Sequence, residues 1–287
     1  HGPDNNAVAK DSVVGPPHHL QWVGGPKWAR GHEVLATISA VVTSGGRLFY
    51  IADEGPIASV DLPSEWTLSA RDAFNGVLLW KRKIERWESR YRPFRSGPPQ
   101  LPRRLVAVGD TVYVTPGYLT PLEAIDAATG ETKKVYEGTE GTEEILVADG
   151  RLYLVIGDAE DQDAAEKAAR RGQTPPPIDK RIVAMEPDTG KVIWKRDDPH
   201  AAALFAQTLA VAGDRLYFQN TQELFCLDAK TGDLLWRTKR PAALKRPAWS
   251  VPTVVVHGDV VISADRAAPK DIELKDVPPR PSFIPTS

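Results

Sequence analysis

The stretch Ala70-Arg-Asp72-Ala-Phe-Asn-Gly76-Val-Leu-Leu-Trp80 decides the fold, because its acid–x3–Gly–x3–Trp frame recurs along the chain. Aspartate accepts nearby backbone N–H groups and glycine supplies the positive φ of a tight turn, so each copy predicts a hairpin. The spacing between copies is roughly that of a propeller blade of about 40–50 residues, lengthened by insertions. The repeat residues are Asp72, Gly76 and Trp80; Asp126 and Gly130; Glu186, Gly190 and Trp194; and Asp228, Gly232 and Trp236.

A second hairpin signal precedes every copy of this motif, as two apolar runs joined by a glycine-containing turn. One example is Leu209-Ala-Val-Ala-Gly-Asp-Arg-Leu-Tyr-Phe218. The two hairpins together predict a unit of four antiparallel strands, with its tryptophan packed between neighbouring sheets. Complete units are expected near 36–84, 103–137, 143–197 and 206–240, and a fifth unit begins at 252.

The predicted fold is therefore all-β: a β-propeller of four-stranded antiparallel blades, with about four complete blades plus partial ones. We interpret the chain as a fragment of a seven- or eight-bladed propeller. Residues 1–35 are expected to form an N-terminal segment whose stretch 18–24 is the outer strand of a closing blade. The blades occupy 36–264, with one short helix inserted near 159–170, and 265–287 form an irregular, proline-rich tail.

The repeated frame resembles the tryptophan-docking motif of the pyrroloquinoline-quinone-like β-propellers. That superfamily includes the quinoprotein alcohol dehydrogenases and the BamB-type outer-membrane assembly lipoproteins. The resemblance covers 36–264 and implies a propeller in an extracytoplasmic compartment, periplasmic or exported. It implies no particular activity, because turn and packing residues are not a site. In the second copy Lys134 stands where tryptophan is expected, with Tyr136 two residues later, and this predicts a weaker contact between blades.

The resemblance also raises the question of a cofactor. In the dehydrogenases of the superfamily, pyrroloquinoline quinone lies over a calcium ion beside a ring made by two adjacent cysteines. This chain has one cysteine, Cys226, and no carboxylate set that matches the calcium motif. We therefore predict no cofactor, no catalytic residue and no metal ligand, and favour a non-catalytic scaffold or protein- and ligand-binding platform. Two alternatives stay open: part of a quinone- and calcium-dependent dehydrogenase, and a propeller attached to a catalytic domain outside this segment.

One basic stretch stands apart from the repeats. Residues 81–104 carry nine basic and two acidic side chains with aromatic residues among them, a pattern that fits a protein or other acidic partner. Alternatively, this is a loop whose arginines face the acidic stretch 123–149 of the next unit. The candidate partner-binding residues are Arg86, Trp87, Arg90, Tyr91, Arg92 and Arg95.

Overall charge and hydropathy exclude other partners. The formal net charge of −2 gives no case for nucleic acid. No run of 18 apolar residues occurs, so we expect no membrane-spanning segment.

Overall fold

The computed structural model describes residues 2–6, 20–24, 38–58, 62–87, 101–242 and 252–265. Strands account for 49% and helices for 9% of the described residues, which confirms the all-β prediction. No helix among the described residues is both long and apolar enough to cross a membrane.

Four complete blades and half of a fifth are present, as the two interleaved hairpin signals predict. Within each complete blade every strand pairs with the next one along the chain in antiparallel register. Blade 1 contains β1 (Ile38–Ser44), β2 (Arg47–Asp53), β3 (Trp66–Asp72) and β4 (Leu78–Lys83); blade 2 contains β5 (Leu105–Val108), β6 (Thr111–Val114), β7 (Leu122–Asp126) and β8 (Thr132–Tyr136). Blade 3 contains β9 (Thr142–Ala148), β10 (Arg151–Gly157), β11 (Lys180–Met185) and β12 (Val192–Arg196); blade 4 contains β13 (Ala210–Ala212), β14 (Arg215–Gln219), β15 (Glu223–Asp228) and β16 (Leu234–Lys239); the half-blade contains β17 (Thr253–His257) and β18 (Val260–Ala264).

Where the structure describes the chain, helical structure consists of short pieces between strands. Helix α1 (Ala159–Arg170) is the insertion expected near 159–170, and α2 (Pro199–Ala202) is capped by Asp198, whose side chain accepts two backbone N–H bonds. The stretches Leu101–Arg104 and Ala206–Thr208 are 3-10 turns that lead into the first strands of blades 2 and 4.

The turn between the third and fourth strands follows the predicted chemistry. In blade 2 the Asp126 carboxylate accepts bonds from Ala128 N at 2.9 Å and Thr129 N at 3.0 Å. These bonds favour the charged carboxylate and lower the pKa of Asp126. Glu186 differs, because its longer side chain accepts a bond from the Thr189 hydroxyl at 2.7 Å instead.

The hydrophobic core lies between neighbouring blades rather than within one sheet. Each of the four buried clusters draws its residues from two adjacent sheets. The outermost strands β4, β8, β12 and β16 contribute little to these clusters and are largely exposed. Stability therefore depends on contacts from blade to blade, as in other repeat architectures.

The N-terminal segment is described only in part. Residues 18 and 19 lie outside the described residues, and 20–24 are not assigned to a strand, so the expected outer strand over 18–24 stays a prediction. Residues 2–6 lie against the first strands of blades 3, 4 and 5. The tail 265–287, apart from Asp265, lies outside the described residues.

Candidate functional site

The repeat motif brings each outer strand onto the turn of the next blade. The Trp80 indole donates a hydrogen bond to Ala127 O at 3.0 Å, and the Trp194 indole makes the same bond to Ala229 O at 3.0 Å. Each ring also covers the motif glycine of that turn. At Gly232, where φ is 78°, a Cβ atom would lie 2.8 Å from the Trp194 ring, so this position excludes any side chain.

Blade 2 makes this contact with different chemistry. The Tyr136 hydroxyl donates to Pro187 O at 2.5 Å, and Pro187 O is the counterpart of the carbonyls that Trp80 and Trp194 bind. The Lys134 side chain and the Tyr136 ring together lie over Gly190. Tyr136 is buried, which raises its pKa, so the hydroxyl stays a donor. The motif reasoning found the departure but not this replacement, because Tyr136 lies two residues beyond the expected position.

The two ends of the row of blades also differ. Trp22 donates to Ala73 O at 3.0 Å and its ring covers Gly76, so residues 20–24 contact blade 1 as an outer strand would. Trp236 packs against Tyr217 with ring centres 6.0 Å apart. No further copy of the motif follows Trp236 within the part of the chain that the structure describes.

The candidate partner-binding stretch is only partly described, and its described residues face inward. Arg90, Tyr91, Arg92 and Arg95 lie outside the described residues. Trp87 is fully buried, donates to Thr115 O at 2.7 Å and lies 4.9 Å below the Arg104 guanidinium. Trp87 is therefore a core residue and not part of an exposed binding loop, which corrects the sequence interpretation for this position.

Arginines of the same stretch pair with acids of other units. Arg82 pairs with Glu123 at 2.8 Å and Arg86 with Glu166 of α1 at 2.9 Å. The Arg86 guanidinium also lies 4.7 Å from the Tyr118 ring centre. In these described residues the basic side chains link the blades to each other and to α1.

A third pair of this kind lies in a cavity of about 560 Å³ at the propeller axis. Arg103 Nε donates to Glu144 Oε2 at 3.0 Å, and Arg103 Nη2 donates to Gln207 O at 3.1 Å. Burial raises the pKa of Glu144 to about 8, since the lost hydration outweighs the attraction to Arg103. The cavity is lined mostly by apolar residues of the inner strands, among them Val41, Val42, Leu105, Ile145 and Val254.

Sequence reasoning missed this pair. Arg103 is one of the nine basic residues of 81–104, and Glu144 is part of the acidic stretch 123–149, but these compositions do not predict that the two side chains meet. The alternation of β9 was an available signal, because Glu144 shares a strand face with the fully buried Leu146. A charged residue on a core-facing position requires a partner, and that partner comes from the preceding blade.

The residues at the axis do not fit the cofactor of the quinoprotein dehydrogenases. Calcium takes six to eight oxygen ligands. Among the described residues that line the cavity, Glu144 supplies the only carboxylate, and it is hydrogen-bonded to Arg103. No cluster of three or more His, Cys, Asp or Glu residues occurs among the described residues. Cys226 lies on the third strand of blade 4, buried beside Tyr217.

Known proteins resemble parts of this chain. Residues 178–270 match the family model described as outer membrane protein assembly factor BamB. No curated protein matches the chain. Similar solved structures include BamB from Moraxella catarrhalis (17% identity, TM-score 0.41, covering 71% of this chain and 54% of that one). A europium-containing methanol dehydrogenase is 14% identical with a TM-score of 0.43, and the match covers 77% of this chain and 45% of that one. Quinohemoprotein alcohol dehydrogenase from Comamonas testosteroni is 15% identical with a TM-score of 0.44, and the match covers 76% of this chain and 37% of that one.

These matches cover about half or less of each solved structure. The assignment of the fold depends on the family-model match and on the geometry of the repeats. Four antiparallel blades carry the acid–x3–Gly turn, and successive blades are joined through an aromatic side chain on that turn. The match over residues 178–270 and this geometry support a pyrroloquinoline-quinone-like β-propeller.

Proposed function

We propose that this chain is a non-catalytic propeller that binds a protein partner. The observation that carries the proposal is a recurring pair of exposed apolar side chains on the outer strands. These side chains are between 38% and 50% exposed and stand immediately before the motif tryptophan in blades 1, 3 and 4. The pairs are Leu78 and Leu79, Val192 and Ile193, and Leu234 and Leu235.

Two physical features of these strands favour a protein as the partner. An outer strand is a sheet edge, so its free N–H and C=O groups can pair with another chain. Exposed apolar side chains on such an edge add burial to that pairing, and repeated apolar groups on a surface are typical of interaction sites. Blade 2 lacks the feature, because Thr132 and Lys133 occupy the corresponding positions.

The family match supports this reading without identifying the partner. The matching model is that of an outer membrane protein assembly factor, a description that refers to a protein-binding role. We propose with it an extracytoplasmic location. The basic stretch 81–104 remains a second candidate surface through its undescribed residues, and a dehydrogenase role gains no support from the donor set at the axis.

The experiment copies blade 2 into blade 1 with L78T/L79K. The intact chain is first cross-linked in an envelope extract, and the proteins attached to it are identified and purified. Calorimetry then measures the affinity of each purified protein for the purified chain. We expect the double variant to weaken the complex at least tenfold while its unfolding curve stays close to that of the intact chain. The control is T132S/K133R, which preserves the polarity of blade 2 and should leave affinity unchanged.

Equal affinity for L78T/L79K and the intact chain would overturn the outer-strand surface. Saturable binding of pyrroloquinoline quinone with calcium, together with dye-linked oxidation of an alcohol, would overturn the non-catalytic assignment.

A further inference from the structure

The innermost strand of each blade is a sheet edge that faces the propeller axis. Its outward N–H groups have no partner within the blade, so they are available to any chain that enters the axis. In blades 3 and 4 and in the half-blade, one such N–H group each binds a backbone carbonyl of residues 2–6. Val147 N donates to Pro3 O at 2.9 Å, and Val211 N donates to Asp4 O at 2.9 Å. Val256 N donates to Asn6 O at 3.1 Å.

These donors belong to three different blades, namely to strands β9, β13 and β17. The segment is therefore held across the axis through its main chain, by one hydrogen bond from each of three blades. It is not an added strand, because Asn5 N donates to Gly2 O at 3.0 Å and closes a turn over residues 2–5. A small molecule with one or two polar atoms would not match three donors that bind the carbonyls of residues 3, 4 and 6.

The axis also binds one side chain of the segment, in addition to its backbone. Asn5 is 5% exposed, and its amide nitrogen donates to Leu209 O at 2.6 Å and to Gln207 O at 3.4 Å. Asn5 also adopts a φ of 52°, a conformation that asparagine tolerates better than most residues. The axis consequently selects for asparagine at this point of the bound segment.

The cavity at the axis continues the space that the segment occupies. Gly2, Pro3 and Asn5 form one wall of it, and Arg103 and Glu144 lie on another. Arg103 Nη1 and Glu144 Oε1 have no hydrogen-bond partner among the described residues. A donor beside an acceptor is the complement of a peptide group, whose carbonyl accepts and whose N–H donates.

We propose that the propeller axis is a binding site for a short, turn-forming, asparagine-containing peptide of a partner protein, and that residues 2–6 occupy this site as an intramolecular competitor. The partner's segment enters when it displaces residues 2–6 and takes over the donors of Val147, Val211 and Val256. This site is separate from the outer strands, so it stands whether or not the proposed surface on those strands is correct.

The competition has a predictable size. A tethered segment has an effective concentration C on the order of 1 mM. It reduces the apparent affinity of a competing peptide by a factor of about 1 + C/Kd, where Kd is the dissociation constant of the segment itself. For a dissociation constant on the order of 100 µM, the reduction is about tenfold. Weakening the segment in the intact chain should remove most of this factor.

The test uses the full chain with Asn5→Ala, the intact chain, and a labelled synthetic peptide with the sequence Gly-Pro-Asp-Asn-Asn. Fluorescence anisotropy should show saturable binding that is about tenfold tighter to Asn5→Ala than to the intact chain. A peptide with alanine in place of its first asparagine should bind at least tenfold more weakly to the same protein. The L78T/L79K variant is the matched control for the outer strands and should bind the peptide as the intact chain does.

Hydrogen exchange supplies a second readout that depends on the geometry. The amides of Val147, Val211 and Val256 should exchange slowly in the intact chain, faster in a variant that lacks residues 1–6, and slowly again when that variant is saturated with the peptide. Equal binding of the two peptides, no binding up to about 1 mM, or unchanged exchange at these amides would overturn the proposal. A deletion variant that fails to fold would also overturn it, because residues 2–6 would then be part of the core and not an exchangeable occupant.

Discussion

The junction between blades 3 and 4 and the junction between blades 2 and 3 have the same geometry but different chemistry. At the first, Trp194 is nearly buried, covers Gly232 and donates to Ala229 O. At the second, Tyr136 donates to Pro187 O while the flexible Lys134 side chain shares the contact with the glycine. What is common to both is a donor that reaches one particular backbone carbonyl. Both junctions have this bond and a covered glycine, so tryptophan is not the only side chain that can provide them.

The largest expected effect is that of Trp194→Ala. Removing the indole leaves a cavity in the cluster shared by blades 3 and 4 and removes one of the two side-chain hydrogen bonds to Ala229 O, the other being that of the Tyr153 hydroxyl. We therefore expect the free energy of unfolding to fall by about 3–5 kcal/mol. Equilibrium unfolding in urea measures this loss. Trp80→Ala is the matched comparison and should cost less, because Trp80 is only partly buried. A loss below about 1 kcal/mol at Trp194 would contradict its role in the junction.

The glycines provide the next comparison. Gly232→Ala, Gly190→Ala and Gly150→Ala all place a side chain at a positive φ, which costs roughly 1–2 kcal/mol. A Cβ atom at Gly150 has open space, whereas one at Gly232 would lie 2.8 Å from the Trp194 ring. We therefore expect Gly232→Ala to cost about 1–3 kcal/mol more than Gly150→Ala.

At Gly190 the nearest atom to an added Cβ is the Lys134 Cε, at 2.9 Å, near the end of a side chain that can move. The cost of Gly190→Ala should therefore lie between those of the other two variants. Equal losses for Gly190→Ala and Gly232→Ala in urea unfolding would show that the two junctions are equally rigid.

The pH dependence should separate the junctions from the axis. The folded pKa of Glu144 is about 8 and its ordinary value is 4.5, so between these values the folded state keeps a proton that the unfolded state has released. This contribution to stability is fully present below about pH 4.5 and is lost as pH rises through 8. The free energy of unfolding should fall by up to about 1.4 kcal/mol per pH unit within that window.

Glu144→Gln should remove most of this slope in urea unfolding curves recorded between pH 5 and pH 8. The loss caused by Trp194→Ala should be the same at both ends of the range, since neither residue involved in that junction titrates there. A slope that is unchanged in Glu144→Gln would assign the pH dependence to another group.

The smallest expected effect is that of Tyr136→Phe. This change keeps the ring over Gly190 but removes the hydrogen bond to Pro187 O, so it should cost about 1 kcal/mol. Thermal unfolding followed by circular dichroism is sensitive enough to detect the loss. A neutral result would mean that covering the glycine is sufficient, and that the bond to the carbonyl contributes little.

The sequence by itself determined the blade. The Asp126-to-Gly130 turn and its copies fix local backbone angles, and the apolar alternation around them fixes which strand faces are buried, so both can be read from neighbouring residues. The four blades, the half-blade and helix α1 follow from such local signals. The sequence also reveals the departure at Lys134, because the other copies of the motif have tryptophan at this position.

Only the tertiary structure decided where the polar and aromatic residues outside the repeat are placed. Trp87 is in the core because Thr115 O and the Arg104 guanidinium lie beside it, and Asn5 lies at the axis because Leu209 O accepts its amide from 204 residues away. Arg103 meets Glu144 of the following blade for the same reason. A buried polar group needs a partner, but the sequence does not state which distant residue will be within hydrogen-bond distance, because the packing of successive blades against each other sets that distance.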